Sequence, residues 1–229
     1  MDELYYRLRK NLGLHFLYDS VRNGINYLTG RRPLRRETTR ILPPPFFIVG
    51  SGRSGNTLLR AVLTANPDVS IPPESYVLPK AIRRFQAYSF LEWPVLVRLV
   101  LSEFEYHSQF ESWDVSLRPI YQHTRQIPEE EQDLARILTG VYEEYMTEHM
   151  PSARRWGDKT PLNTLHLDWI DKVFPEAKYI HMIRDGRDVV SSYLRSEIYT
   201  TAESVGRRWL RSVTMAQRFG IDEKDRCLE

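Results

Sequence analysis

The residues that most clearly indicate a binding site follow an apolar run, Phe46–Val49. This run predicts a buried parallel strand. Gly50 and Gly55 have the spacing of the phosphate-binding loop G-x-x-x-x-G-K-[ST], but Asn56 stands at the lysine position. Glycines let backbone N–H groups approach an anion, and the start of the following helix adds partial positive charge. The segment therefore predicts a site for a phosphate-like group. The missing lysine argues against a magnesium-bound nucleoside triphosphate, and Arg53 offers a cation earlier in the loop.

A second candidate anion site follows the apolar segment 178–183. There Arg184 precedes a turn at Gly186, and the next helix carries Ser192 near enough to share one phosphate with Arg184. In an open α/β sheet, ligands collect outside the carboxyl ends of the strands, where both segments would lie. Two anion sites at one edge suit a single ligand with two separated charged groups.

Alternating strands and helices predict an α/β fold, a three-layer arrangement with a central parallel sheet flanked by helices. The 229 residues favour one main domain. The predicted helices cover about 2–28, 56–65, two segments of 76–110 separated at Pro94, 129–149, 163–173, a helix after 188 and 203–219. The predicted strands lie near 46–49, 68–71 and 178–183, and 155–161 is predicted to be a junction between a strand and a loop.

Residues 1–40 are predicted to form an amphipathic helix and a basic linker ahead of a domain at 41–229. Packing of this helix on the domain or on a partner subunit is the favoured interpretation. Peripheral contact with an anionic membrane is the alternative. The chain stops at residues that resemble the entry to another strand, so the domain is expected to be incomplete at its C-terminus.

Composition excludes several classes of function. A net charge of +2 gives no global field that would favour a nucleic-acid partner, and a single cysteine, Cys227, excludes a disulfide framework or a cysteine-rich zinc site. No metal-ligand spacing is visible among the histidines. The N-terminal sequence lacks the basic start and apolar core of a signal peptide, and no apolar run is long enough to span a bilayer. These features predict a cytoplasmic protein without a metal.

Taken together, the motifs resemble those of sulfotransferases that use 3′-phosphoadenosine 5′-phosphosulfate (PAPS), with a bias toward the bacterial and tyrosylprotein branch. The segment 50–60 is similar to the family's 5′-phosphosulfate loop, and 183–192 is similar to its 3′-phosphate segment. The segment 157–161 lies between them, and the resemblance covers about 45–219. It implies a P-loop-like fold and transfer of a sulfuryl group to a hydroxyl or amine acceptor, without a metal.

The resemblance also implies roles for individual residues. Glu74 matches the catalytic glutamate of the tyrosylprotein branch, and Lys159 matches a lysine that reaches the sulfate and its bridging oxygen. Arg184 and Ser192 would bind the 3′-phosphate. The residues implied around the 5′-phosphosulfate are Arg53, Ser54, Gly55, Asn56 and Thr57. Asn56 departs from the threonine of many relatives but keeps hydrogen-bonding capacity, so altered detail rather than lost binding is expected.

Other interpretations stay open from the residues alone. A P-loop nucleotide kinase is one alternative, although Asn56 counts against it. A non-enzymatic membrane-peripheral scaffold with a degenerate fold is another. Glu74 could be an ordinary carboxylate at a helix start, and Lys159 a surface lysine. His166 is a minor candidate for a base, whereas His181 is predicted to be buried structure. Residues 76–128 are expected to form much of the acceptor pocket, but the class of acceptor stays open.

Overall fold

A computed structural model describes residues 12–196 and 201–229, so the predicted helical start at 2–11 lies outside the described residues. Five parallel strands form one sheet in the order β2–β3–β1–β4–β5, and the prediction of a parallel α/β fold is confirmed. The strands are β1 (Phe46–Gly50), β2 (Val69–Ser70), β3 (Arg155–Asp158), β4 (Lys178–Met182) and β5 (Cys227–Leu228).

Helices occupy most of the remaining described chain, with 3₁₀ turns at Phe110–Trp113, Glu129–Glu131 and Pro161–His166. The α-helices are α1 (Leu12–Thr29), α2 (Asn56–Thr64), α3 (Leu78–Tyr88), α4 (Trp93–Glu105), α5 (Arg118–Thr124), α6 (Leu134–His149), α7 (Leu167–Val173), α8 (Gly186–Arg195) and α9 (Ala202–Asp222).

Two predicted helix starts are wrong. The helix expected from 129 begins at Leu134, because Asp133 is extended and its carboxylate caps the helix by accepting the Arg136 N–H. The helix expected from 163 begins at Leu167. The preceding 3₁₀ turn instead directs the side chain of Thr164 to the backbone of Gly50, where its hydroxyl meets both the N–H and the carbonyl oxygen.

The core has two faces because side chains alternate along β1. Phe47 and Val49 point into a large apolar cluster formed with α3, α4, α6 and α7. Phe46 and Ile48 point the other way, toward a smaller cluster that includes Leu59 of α2. The sheet therefore lies between two helical layers, and α2 is held directly behind the loop that follows β1.

The basic linker packs on the domain, whereas α1 leaves much of its surface exposed. Arg35 pairs with Glu176 at 2.7 Å, and the hydroxyl of Thr39 donates to the Asp133 carboxylate at 2.5 Å. The exposed apolar side chains of α1 include Leu14, Phe16, Leu17, Val21, Ile25 and Leu28. Contact of α1 with a membrane surface or a partner subunit stays a prediction. No helix in the described ranges has the length and hydropathy needed to cross a bilayer.

Candidate active site

The loop after β1 lies at the carboxyl edge of the central strand. β1 pairs with β3 on one side and β4 on the other, and Gly50 is in register with Met182. Gly50 has φ 134°, and a Cβ there would lie 2.4 Å from the carbonyl oxygen of Met182. Gly52 is packed as closely, because a Cβ would lie 2.0 Å from the hydroxyl of Tyr193 on α8. Glycine is therefore required at the strand end, where the obstacle is backbone, whereas a side chain at position 52 would require the Tyr193 ring to move.

The side chain of Asn56 binds the backbone of the loop that follows β1. Its side chain is buried, and its amide Nδ2 donates to the carbonyl oxygen of Ser51 at 3.1 Å. Its Oδ1 has no hydrogen-bond partner in the described part of the chain, and neither does the buried hydroxyl of Ser54. Asn56 lines the cavity described below, whereas Ser54 does not. At the lysine position of a P-loop, this chain thus has an amide that holds the loop's own backbone.

The two predicted anion segments meet in space. The Nε of Arg53 donates to the hydroxyl of Ser192 at 3.0 Å, and Arg184 approaches the Arg53 carbonyl oxygen at 3.4 Å. The guanidinium of Arg184 also lies 3.4 Å from the carboxylate of Asp188. The indole N–H of Trp209 donates to the backbone carbonyl oxygen of Arg184 at 3.1 Å. The guanidinium groups of Arg53 and Arg184 are therefore positioned by side chains of α8 and by the backbone of the loop after β1.

Glu74 and Lys159, which are 85 residues apart in sequence, form an ion pair. The Nζ of Lys159 donates to Oε1 of Glu74 and lies 3.3 Å from the hydroxyl of Thr57. Only 5% of the Lys159 side chain and 25% of the Glu74 side chain are exposed. Lys159 is thus not a surface lysine, and its ammonium joins the start of α2 to the candidate base.

A buried carboxylate anchors the strand end that carries Lys159. Asp158 accepts hydrogen bonds from Tyr142 at 2.7 Å, from the amide of Asn163 at 2.7 Å and from Thr160 at 3.3 Å. Burial raises the pKa of the Asp158 carboxyl, and these donors oppose that rise. Burial together with the nearby Asp158 raises the pKa of Tyr142. The network fixes the backbone next to Lys159 without placing Asp158 in the cavity.

One cavity of about 440 Å³ collects most of these groups. Seven of the nine predicted site residues line its wall. Ser54 and Lys159 do not line it, but Lys159 contacts two of the lining residues, Thr57 and Glu74. The lining residues are Gly52, Arg53, Gly55, Asn56, Thr57, Glu74, Tyr76, Pro161, Arg184, Ser192, Tyr193 and Arg208. Sequence reasoning did not assign site roles to Tyr193 or Arg208. Tyr193 directly follows the motif residue Ser192 on α8, whereas Arg208 lies outside both motifs, on α9.

The two histidines weighed in the sequence lie elsewhere. His166 does not line this cavity, and its ring packs against Trp169 with centroids 4.9 Å apart. Burial and the nearby charges of Arg211 and Arg83 lower the pKa of His166. His181 is buried on β4, and its Nδ1 lies 3.0 Å from the Glu229 carboxylate. Within residues 12–196 and 201–229, no cluster of three or more His, Cys, Asp or Glu side chains could hold a metal ion.

Fold and site together define a class of protein: a P-loop-like α/β protein with a cation-rich cavity at the carboxyl edge of its central strand. A family model described as "Sulfotransferase family" matches residues 44–229. The chain therefore belongs to the sulfotransferase family.

Similar proteins agree with this placement. The chain is 26% identical over 191 residues to protein-tyrosine sulfotransferase 1 of Danio rerio, covering 81% of this chain and 46% of that protein. It is 30% identical over 152 residues to a putative protein-tyrosine sulfotransferase of Caenorhabditis briggsae, covering 66% and 43%. The chain thus spans less than half the length of these curated relatives.

Solved structures show the same fold. The sulfotransferase domain from the Synechococcus PCC 7002 olefin synthase aligns with a TM-score of 0.55 at 24% identity, covering 86% of this chain and 69% of that one. The sulfotransferase domain from the curacin biosynthetic pathway aligns with a TM-score of 0.52 at 20% identity, covering 82% and 67%.

Proposed function

We propose that this chain transfers a sulfuryl group from PAPS to a hydroxyl or amine acceptor. One observation carries the proposal: Glu74, paired with Lys159, shares a cavity wall with Arg53 and Arg184 at the carboxyl edge of the sheet. A carboxylate that can accept a proton thus lies beside cations that suit an anionic donor. Membership of the sulfotransferase family supports this chemistry over other anion-dependent reactions.

The residues fit an in-line transfer that requires little covalent work by the protein. The acceptor oxygen forms a bond to sulfur as the bond from sulfur to the bridging oxygen breaks. Glu74 takes the acceptor's proton. Lys159 and Arg53 offset the negative charge that grows on the leaving bridging oxygen. In this scheme, the ion pair with Glu74 holds the Lys159 amine within reach of Thr57 before the donor binds.

The donor site extends across both anion segments. Residues 53–57 are proposed to surround the 5′-phosphosulfate, and Arg184 with Ser192 the 3′-phosphate. The hydrogen bond between Arg53 and Ser192 supports this division, because it brings the two segments within reach of one ligand. Arg208 adds a further cation to the same wall.

The acceptor is proposed from the relatives. Both quoted curated relatives are named protein-tyrosine sulfotransferases, so a tyrosine hydroxyl is the first acceptor to test. A lone tyrosine amide and a tyrosine-containing peptide would distinguish recognition of the phenol from recognition of the surrounding chain. Carbohydrate and lipid hydroxyls form the comparison set.

The donor assignment is tested by Arg184→Ala in a calorimetric comparison of two nucleotides. We expect the affinity for adenosine 3′,5′-bisphosphate to fall about tenfold or more, because a charge-assisted contact to the 3′-phosphate is lost. Adenosine 5′-phosphate has no 3′-phosphate, so its affinity should change little. Arg187→Ala is the matched control, because that side chain is 91% exposed and pairs with Asp185 outside the cavity.

Equal losses for both nucleotides would reject the assignment of Arg184 to the 3′-phosphate. Tighter binding of ATP in the presence of magnesium than of adenosine 3′,5′-bisphosphate would instead favour the nucleotide-kinase alternative.

A further inference from the structure

The candidate base Glu74 accepts a hydrogen bond from a tyrosine side chain of the same chain, Tyr76. The hydroxyl of Tyr76 donates to Oε2 of Glu74, while Lys159 donates to Oε1. Both carboxylate oxygens therefore have partners within this chain. Tyr76 and Glu74 also line the same cavity as Arg53 and Thr57, so their contact belongs to the wall of the proposed donor site.

The residues before and after Tyr76 and a ring contact hold its side chain against Glu74. Tyr76 has φ 56°, a left-handed conformation that is uncommon for a bulky residue and points to a constraint. The N–H of Ser75 donates to the hydroxyl of Thr160 at 3.2 Å, and Val77 is fully buried in the core. The ring stacks on His107, with centroids 6.3 Å apart and planes at 21°. The phenol is thus positioned against Glu74 by its neighbours.

A general base must lie within hydrogen-bond reach of the proton that it removes. Tyr76 occupies one acceptor position on Oε2 of Glu74, so a water molecule or an acceptor hydroxyl that approaches this oxygen from the cavity competes with the phenol for it.

We propose that Tyr76 caps the acceptor position: its hydroxyl occupies Oε2 of Glu74, so that this oxygen does not activate water before an acceptor hydroxyl displaces the phenol. This inference rests on the proposed sulfuryl transfer and makes Tyr76 a positioning residue that protects the donor. Without the cap, water would attack sulfur while the bond to the bridging oxygen breaks. Glu74 would take the proton of that water, and the products would be sulfate and adenosine 3′,5′-bisphosphate. Closed active sites prevent this kind of side reaction by excluding water.

The test is the rate at which PAPS is hydrolysed when no acceptor is present. Tyr76→Phe keeps the ring and removes the O–H donor. Tyr76→Asn removes the ring with a residue that tolerates left-handed backbone. We expect hydrolysis about tenfold faster in both variants, equal to about 1.4 kcal/mol in the barrier, with unchanged affinity for adenosine 3′,5′-bisphosphate. Tyr27→Phe is the matched control, because Tyr27 on α1 is 50% exposed and does not line the cavity.

Addition of Glu74→Gln to Tyr76→Phe should return hydrolysis to the wild-type level or below, because the gain depends on the freed base. Unchanged hydrolysis in both Tyr76 variants, with nucleotide affinity preserved, would overturn the cap alone. A sulfuryl group found on Tyr76 by peptide mass analysis would also overturn it, because the phenol would then be an acceptor. Failure of the folded wild-type protein to bind adenosine 3′,5′-bisphosphate would overturn the proposed function and the cap together.

Discussion

Removal of either partner of the Glu74–Lys159 pair should destabilise the fold by more than an exposed ion pair would. Breaking a buried pair costs about 3–5 kcal/mol, because the remaining charge is left without a partner in a poorly hydrated site. One quarter of the Glu74 side chain is exposed, so water recovers part of this cost. We therefore expect Lys159→Met and Glu74→Gln each to lower the free energy of unfolding by about 2–3 kcal/mol.

The double variant Lys159→Met/Glu74→Gln distinguishes the interaction between the two charges from the contacts that each side chain makes with other residues. With neither charge present, the combined cost should be smaller than the sum of the single costs by about 1–2 kcal/mol. The assay is urea unfolding followed by tryptophan fluorescence and circular dichroism, with the slope against urea checked for each variant.

Lys80→Met is the matched control for this cycle. Lys80 pairs with Glu103 at 2.6 Å, but 52% of its side chain is exposed, so its loss should cost less than about 1 kcal/mol. Costs of Lys159→Met and Glu74→Gln that add to within about 0.5 kcal/mol would refute the coupling of the two charges.

Three further outcomes are expected. Glu74→Gln should lower turnover of PAPS with an acceptor about 10²-fold in a steady-state assay, and leave nucleotide affinity nearly unchanged, because only the base is removed. Gly50→Ala should cost about 3 kcal/mol or more in urea unfolding, because its Cβ meets a backbone oxygen, whereas Gly206→Ala has open space and should be neutral or stabilising. Burial lowers the pKa of His181 below its ordinary value of 6.5, so the unfolded chain binds more protons below pH 6.5. Stability should fall as the pH drops from 6.5, and His181→Gln should flatten that part of the curve measured by thermal unfolding.

The local parts of the fold could be read from the sequence. The glycine loop after β1 and the turn before α8 have short-range signals: an apolar run, residues that permit sharp turns, and a helix start. Asp185 caps α8 through the N–H of Arg187, as its position at the turn suggests. Such signals depend on neighbours in sequence. They were enough to predict that Arg53 and Ser192 lie at the same edge of the sheet, where the two side chains are in contact.

The parts that could not be read depend on contacts between distant residues. The predicted starts of the helices near 129 and 163 were wrong. Asp133 caps α6 and also binds Thr39 of the linker, and Thr164 binds the backbone of Gly50 far along the chain. The hydrogen bond from Tyr76 to Glu74 depends on a left-handed backbone conformation at Tyr76, which no sequence motif predicts. Arg208 reaches the cavity only because α9 packs against α8. The motifs thus indicated most of the residues that line the cavity, and tertiary packing added the rest of its wall.

The central claim is that this cavity binds a nucleotide with two separated phosphates. The most direct test is a calorimetric titration of the folded wild-type protein with adenosine 3′,5′-bisphosphate in the absence of metal, with ADP and magnesium-ATP as comparisons. We expect selective binding of the 3′,5′-bisphosphate that does not depend on added metal. No binding, or stronger binding of magnesium-ATP, would contradict the account.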